Sequence, residues 1–225
     1  MTLAWLATLP LAMWLYLLFG RGMFWRACER DDADETIEPG QWPSVTATVP
    51  ARNEADVIAR SIGSLLAQDY PGAFRVVLVD DQSDDGTGEV ARALDIGGRL
   101  TVIAGTARPP GWTGKLWAMS QGVAHTSDMP EYLWFTDADI AHAPDNLRRL
   151  VARAEGEKLV LTSLMAKLSC VTPAEHVFIP AFVYFFRMLY PFAWVNNPES
   201  STAAAAGGCM LIRRGALERA GGLAA

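Results

Sequence analysis

Four short apolar runs, at 45–49, 74–79, 100–104 and 132–136, each stop at a cluster of polar or acidic residues, with helical-period stretches between them. The run 74–79 (FRVVLV) is β-branched and ends at Asp80-Asp81, as a bounded strand does. Val57, Ile58, Ser61, Ile62, Leu65 and Leu66 recur at helical spacing after the first run. The stretches 87–94, 115–125 and 144–155 also read as helices, the last with Pro144 near its first turn. Strands alternating with helices predict an α/β fold with a mostly parallel sheet and helices on both faces. Ligands bind such sheets beyond the carboxyl ends of the strands. The pattern delivers 50–54, 80–86, 106–115 and 137–139 to that edge.

The residues gathered there carry recognisable chemistry. Asp137-Ala138-Asp139 follows the strand YLWFT directly. Two carboxylates on a tight turn repel each other, and a hard divalent cation such as Mg²⁺ relieves that repulsion. A solvated loop or helix cap is the plainer reading of such a triplet, but its place at the end of the fourth strand favours the cation. One carboxylate of Asp80-Asp81-Gln82-Ser83-Asp84-Asp85 would accept the ring N–H of uracil or guanine, while part of the run would cap the helix opening at Thr87. Pro50, Ala51, Arg52, Asn53 and Glu54 end the first strand just before a helix, whose N-terminus favours anions, and Arg52 would reach phosphate. The bland alternative for them is an ordinary strand-to-helix loop. Lys115, after Gly114 at the start of a helix, would offset diphosphate charge, although the P-loop spacing is absent.

Residues 3–19 (LAWLATLPLAMWLYLLF) carry no charge, and Arg21, Arg26 and Arg30 follow at once. This predicts a membrane anchor over 1–22, with aromatic rings of Trp5, Trp14, Tyr16, Phe24 and Trp25 near its ends. The arginines place the rest of the chain in the cytoplasm. The acidic stretch 29–43 reads as a solvated linker, so the domain plan is anchor 1–22, linker 23–43 and folded domain 44–225. A second apolar stretch at 177–195 contains Arg187, which argues against a span and leaves an interfacial helix or a buried one. The net charge of −6 argues against a nucleic-acid surface. The three cysteines, Cys28, Cys170 and Cys209, show neither a disulfide framework nor zinc spacing.

Taken together, PARNE (50–54), VDDQSDDGT (79–87), GK-L-WAMSQG (114–122) and TDAD (136–139) resemble the family 2 glycosyltransferases of the GT-A fold, a Rossmann-like architecture. GGCMLIRR (207–214) resembles the segment lining that family's acceptor side. The N-terminal segment, the PARNE and TGK variants and IPAFVYFFRMLYPFAWVNNP (179–198) resemble most the hopanoid-biosynthesis-associated members. The resemblance implies that Pro50, Ala51, Arg52, Asn53 and Glu54 line a nucleotide-sugar pocket, that Asp81 binds the base and that Lys115 lies near the donor. Asp137 and Asp139 would hold Mg²⁺ or Mn²⁺ on the diphosphate. The implied reaction is inverting sugar transfer from a nucleotide-diphosphate sugar, UDP-linked by preference, to an acceptor such as a membrane lipid. The family's base follows the Gly-Gly segment, and the sequence ends at Ala225 ahead of it, so a shortened chain with an incomplete sheet is expected. A membrane-tethered donor-binding module without turnover is the alternative. A phosphatase using Asp137 as nucleophile would want Thr or Val at 141, where Ala141 stands.

Overall fold

The computed structural model describes residues 2–30, 38–126 and 129–224, without the side chains of 2–7. Its first elements are α1 (Thr2–Leu15), β1 (Val45–Ala51), α2 (Ala55–Leu66), β2 (Phe74–Asp80), α3 (Thr87–Arg92), β3 (Leu100–Ala104) and α4 (Gly114–Ala124). Then come β4 (Tyr132–Thr136), α5 (Asn146–Gly156), β5 (Leu161–Ser163), α6 (Pro173–Leu189), α7 (Phe192–Val195), β6 (Cys209–Arg213) and α8 (Arg214–Arg219). Contacts divide the chain into two units, one from 1–34 with 167–204, the other from 35–166 with 205–225.

The second unit is built on one six-stranded sheet of order β3-β2-β1-β4-β6-β5. β3, β2, β1 and β4 run parallel, while β6 is antiparallel to both β4 and β5. The four strands read from the sequence are thus the parallel part, in a GT-A-like α/β arrangement, and the antiparallel edge is an addition. The chain lays strands outward from β1 to β3, then returns to place β4 on the other side of β1. β1 and β4 therefore form the switch point at which open α/β sheets bind ligands.

Side-chain alternation explains why both faces are covered. Val45, Ala47, Val49, Val76, Leu78, Tyr132 and Trp134 share one core with Ile58, Ile62 and Leu65 of α2 and Leu147, Leu150 and Val151 of α5. The intervening residues point to the other face, where Val77 and Val79 meet Ala118 of α4. There Leu133 and Phe135 pack with Met119 of α4 and Leu217 of α8. Trp134, Tyr132, Phe135 and Leu211 are fully buried, each side chain of this size contributing about 1.5–3 kcal/mol on leaving water. α4 lies so close to the sheet that a Cβ at Gly122 would stand 2.3 Å from Thr48 Cγ2 and 3.1 Å from Val79 Cγ2.

The first unit departs from the expected anchor. α1 ends at Leu15 after 14 residues and gives way to a π-helix at Tyr16–Gly20 and a 3₁₀ turn at Phe24–Arg26. Fourteen α-helical residues rise about 21 Å, short of the roughly 30 Å of a bilayer core. Among the described residues, no helix is long and apolar enough to cross a membrane. The expected span over 1–22 thus has no spanning helix among the described residues to support it. The Trp5 side chain and residues 31–37 of the expected linker lie outside the described residues.

Arg21 explains how this unit holds α6. Its guanidinium donates to the carbonyls of Met188 and Leu189 at 2.9 and 3.0 Å and sits over the Trp194 ring, 5.3 Å from the centroid. A cation there satisfies carbonyls that the helix end leaves unpaired. At the other end of α6, Thr172 and Glu175 form a capping box. Arg187, the charge within the second apolar stretch, pairs with Glu29 at 3.8 Å. α6 has no buried residue, so its apolar face is not part of a core among the described residues.

Two helical glycines give opposite expectations. Gly122→Ala gains about 0.5–1 kcal/mol of helix propensity but drives its methyl into the stiff, fully buried Thr48, which costs about 1–3 kcal/mol. Its urea midpoint is expected to fall. Gly63→Ala, in α2 with nothing within 4 Å of the new methyl, is expected to raise it. An unchanged slope in both titrations would confirm that native stability is what moved.

Candidate active site

Two loops meet beyond the carboxyl ends of β1 and β2. Asn53 has φ 55°, a left-handed conformation that Asn tolerates, and this turns its backbone toward the next loop. Asn53 N–H donates to Ser83 Oγ at 3.0 Å, and Asp84 N–H donates back to Asn53 Oδ1 at 3.0 Å. Glu54 N–H donates to Thr87 Oγ1 at 2.8 Å. Asp85 joins both helix starts, accepting from Ala55 N–H of α2 at 2.9 Å and from Thr87 N–H of α3 at 3.0 Å. These bonds, that of the Thr87 hydroxyl first, hold the Asp85 carboxyl below its usual proton affinity.

This refines the sequence reading. Asp85 does cap the Thr87 helix, from the residue before Gly86, whose φ of 90° suits glycine. It also takes an α2 amide that had been expected to face an anionic ligand. Ala51 and Pro50 contribute backbone: Ala51 is buried, and its carbonyl accepts from Asp81 N–H at 2.8 Å.

Asp81 stands between two glycines. A Cβ at Gly105 would lie 3.1 Å from Asp81 Cα, and one at Gly114 would lie 3.3 Å from Asp81 Oδ2. Its carboxylate is only 13% exposed and faces the Arg52 guanidinium at 3.8 Å. Gly114 and Lys115 open α4, where Thr113 Oγ1 accepts from Leu116 N–H at 3.3 Å as the N-cap. The Lys115 ammonium reaches across to pair with Asp137 Oδ1. The loops after β1, β2, β3 and β4 thus converge on one edge, and the expected site residues lie together.

The electrostatics are those of a cation-seeking edge. Glu54 holds its proton more tightly than an ordinary glutamate, through burial first and then through the negative charges of Asp139, Asp85 and Asp137. Asp139 is exposed, and Asp137 is partly so. Among the described residues, no three His, Cys, Asp or Glu side chains are grouped to hold a metal by themselves. Asp137 and Asp139 could offer Mg²⁺ or Mn²⁺ one or two carboxylates, with the remaining oxygens left to water or phosphate. The Lys115 ammonium on Asp137 shows that a cation fits there.

The sequence reading missed the support beneath this turn. Residues 137–145 loop from β4 to α5, and His142 turns back under the Asp137 turn. His142 Nε2 lies 2.8 Å from Thr136 Oγ1, and Nδ1 lies 3.1 Å from Asn146 Nδ2. The Asn146 Nδ2 group can only donate, which assigns the imidazole proton to Nε2, toward Thr136. Asn146 and Trp134 both point N–H groups at the buried Cys209 thiol, at 3.9 and 3.5 Å. From α2, Ser64 Oγ accepts from His142 N–H at 2.9 Å, and just past the end of α2 the Gln68 side chain bonds Ala143 O and Leu147 N at 2.8 Å each. Burial pushes the His142 imidazole down to about 4. The one signal in the sequence was a histidine three residues after Asp139, and its partners are up to 78 positions away.

Comparison with known proteins accords with this geometry. The family model described as Glycosyl transferase family 2 matches residues 46–221. Among curated proteins, succinoglycan biosynthesis protein ExoO of Rhizobium meliloti is 35% identical over 114 residues, which are 50% of this chain and 30% of that protein. Beta-monoglucosyldiacylglycerol synthase of Trichormus variabilis is 34% identical over 125 residues, 53% of this chain and 25% of that protein. The chain matches less than a third of either relative's length. Among solved structures, the mannosyltransferase PcManGT of Pyrobaculum calidifontis, in complex with GDP-Man and Mn²⁺, superposes with a TM-score of 0.64 at 27% identity, covering 94% of this chain and 57% of that one.

The buried imidazole gives a stability test with a definite sign. Its folded value of about 4 lies below the ordinary 6.5, so the unfolded chain binds more protons between those values. Its contribution is fully present above pH 6.5 and is lost as pH falls toward 4, by roughly 3 kcal/mol at most at about 1.4 kcal/mol per unit. His142→Gln is expected to be less stable at pH 7 but to lose less stability than the parent between pH 7 and 4.5. Paired urea titrations at both pH values measure the difference.

Proposed function

This chain belongs to glycosyl transferase family 2, and we propose that its sheet unit binds a nucleotide-diphosphate sugar across the β1/β4 switch point for transfer of the sugar. The carrying observation is the convergence of Asp81, Lys115, Asp137 and Glu54 from four loops on one sheet edge. In this reading Asp81, framed by Gly105 and Gly114, accepts the ring N–H of the base. Pro50, Ala51, Asn53 and Glu54 form the wall beside it, and Arg52 and Lys115 face phosphate charge. Asp137 and Asp139 would hold Mg²⁺ or Mn²⁺, which when bound acts as a Lewis acid on the departing diphosphate. The Thr136–His142–Asn146 chain holds the Asp137 turn in place.

The expected chemistry is inverting transfer, which calls for a base within reach of the acceptor hydroxyl. Glu218 is bonded to Arg214 Nε at 2.8 Å and is not assigned that task. A lipid acceptor is favoured by two features. One relative is named for a glucosylated diacylglycerol. The N-terminal unit exposes Leu9, Leu11, Met13 and Trp14 on α1 and Val177, Phe178, Phe182 and Phe185 on α6. Such helices, with Arg21 and Arg26 beside them, suit the interface of a membrane on its cytoplasmic side. The narrower choice of a hopanoid rests on the resemblance of the N-terminal segment and 179–198. A UDP-linked donor remains the first choice, with a GDP-linked one the direct competitor because PcManGT is a complex with GDP-Man.

Calorimetric titration with UDP- and GDP-sugars, with Mn²⁺ and with chelator, tests the reading. One donor is expected to bind in a metal-dependent manner, and Asp139→Ala is expected to weaken it roughly tenfold or more, a loss of about 1.4 kcal/mol per factor of ten. Binding indifferent to both metal and the substitution would overturn the proposal.

A further inference from the structure

The ion pair between Lys115 and Asp137 links two parts of the site that the donor would have to bridge. Lys115 stands in the first turn of α4, where the helix presents the positive end of its dipole and has no acidic residue of its own. A lysine is ill placed there for helix stability, and the Asp137 carboxylate offsets that cost. The backbone of this turn is held by the Thr113 cap, and Gly114 abuts Asp81. The ammonium is thus carried on a flexible stem whose base is fixed between the Asp81 side and the Asp137 side.

The pair is also exchangeable. Lys115 is 49% exposed and Asp137 34% exposed, so the contact is partly screened by water and worth little net free energy. It engages Asp137 rather than the more exposed Asp139. The edge around it carries Glu54, Asp85, Asp137 and Asp139, and the charges of the three aspartates add to burial in raising the proton affinity of Glu54.

On the reading of this edge as a donor site, we propose that Lys115 is an internal counter-ion that occupies Asp137 until the donor arrives and then transfers its charge to the donor's diphosphate. Lys115 therefore competes with a divalent cation for Asp137 in donor-free protein and assists binding once phosphate is present. The same residue lowers affinity for metal alone and raises affinity for metal with nucleotide, which makes the two ligands depend on each other. By linkage, each then strengthens the other by the same factor.

The test is Mn²⁺ binding to the full chain, followed by the loss of the free-ion spin-resonance signal, with and without UDP or GDP. Lys115→Met keeps most of the stem and removes the charge. It is expected to tighten Mn²⁺ alone by about fivefold, the scale of one partly exposed ion pair, and to weaken nucleotide in the presence of Mn²⁺. Lys115→Arg, which keeps the charge, is expected to bind Mn²⁺ alone nearly as weakly as the parent. Matching thermal midpoints for the three proteins exclude misfolding. If the parent binds Mn²⁺ with nucleotide but Lys115→Met binds Mn²⁺ alone no more tightly, the counter-ion role is wrong and the donor site stands. If the parent binds no nucleotide with Mn²⁺, the donor-site reading falls and takes this inference with it.

Discussion

The parallel pairing of β1 with β4 is the constraint on which the rest of the structure depends. Val45 to Thr48 pair with Tyr132 to Phe135, which sets the ends of two strands distant in sequence side by side. One ends at Ala51 and feeds the loop of Arg52, Asn53 and Glu54; the other ends at Thr136 and feeds Asp137 and Asp139. A register slip of one residue would turn every side chain of β4 to the opposite face. Trp134 would then leave the core shared with α2 and α5, and Phe135 would leave α4. The burial of those two side chains therefore fixes where the aspartates emerge. Packing chemistry and site geometry are set by the same alternation.

Given that adjacency, the molecule has to tolerate Glu54, Asp85, Asp137 and Asp139 at one edge, beside Asp81 with its Arg52 partner. It does so in two different ways. Asp85 is used structurally: amides at the starts of α2 and α3 satisfy its oxygens, and in doing so they join the first two loops. Asp137 is balanced by the half-exposed Lys115 ammonium. Asp139 is left exposed, and Glu54 holds its proton more tightly, through burial first and then through the neighbouring carboxylates. The second loop is thus tied by backbone hydrogen bonds, while the fourth meets its counter-charge through one half-exposed side chain. The proposed binding of a diphosphate through a cation would use this asymmetry, with the base end shaped beforehand and the phosphate end free to rearrange its charges.

How much of this was legible in the sequence follows from range. The strands β1 to β4 and their terminal loops could be read because each is a local pattern of β-branched residues closed by polar ones. α5 begins at Asn146 rather than at Pro144, an ordinary boundary shift. β5, with three residues, offers no periodicity to detect. β6 was visible only as a resemblance at 207–214, since its apolar residues are interrupted by the arginines that end it. The His142 support was invisible for another reason. Its bonds join positions 64, 136, 142, 146 and 209, and no local rule relates them. The N-terminal segment reads as a span in sequence because hydropathy counts residues and not turns. The 17 uncharged positions of 3–19 are split between a 14-residue α-helix and a π-helix, and Pro10 lies inside the former.

The support under the Asp137 turn is neutral throughout, and that choice follows from its place. An imidazolium at His142 would set a fixed positive charge beneath the carboxylates and compete with whatever cation they are meant to receive. Burial against Trp134, with ring centroids 4.6 Å apart, keeps the ring uncharged at ordinary pH. It can then orient Thr136 through one N–H without altering the potential of the edge. Cys209, raised in its proton affinity mainly by burial, is likewise a neutral acceptor for Trp134 and Asn146. The turn is therefore held by dipoles from below and met by a half-exposed ammonium from the side. In the exchange proposed for Asp137, only the second of these would give way to an incoming ligand, and the strand that carries the aspartate would stay in place.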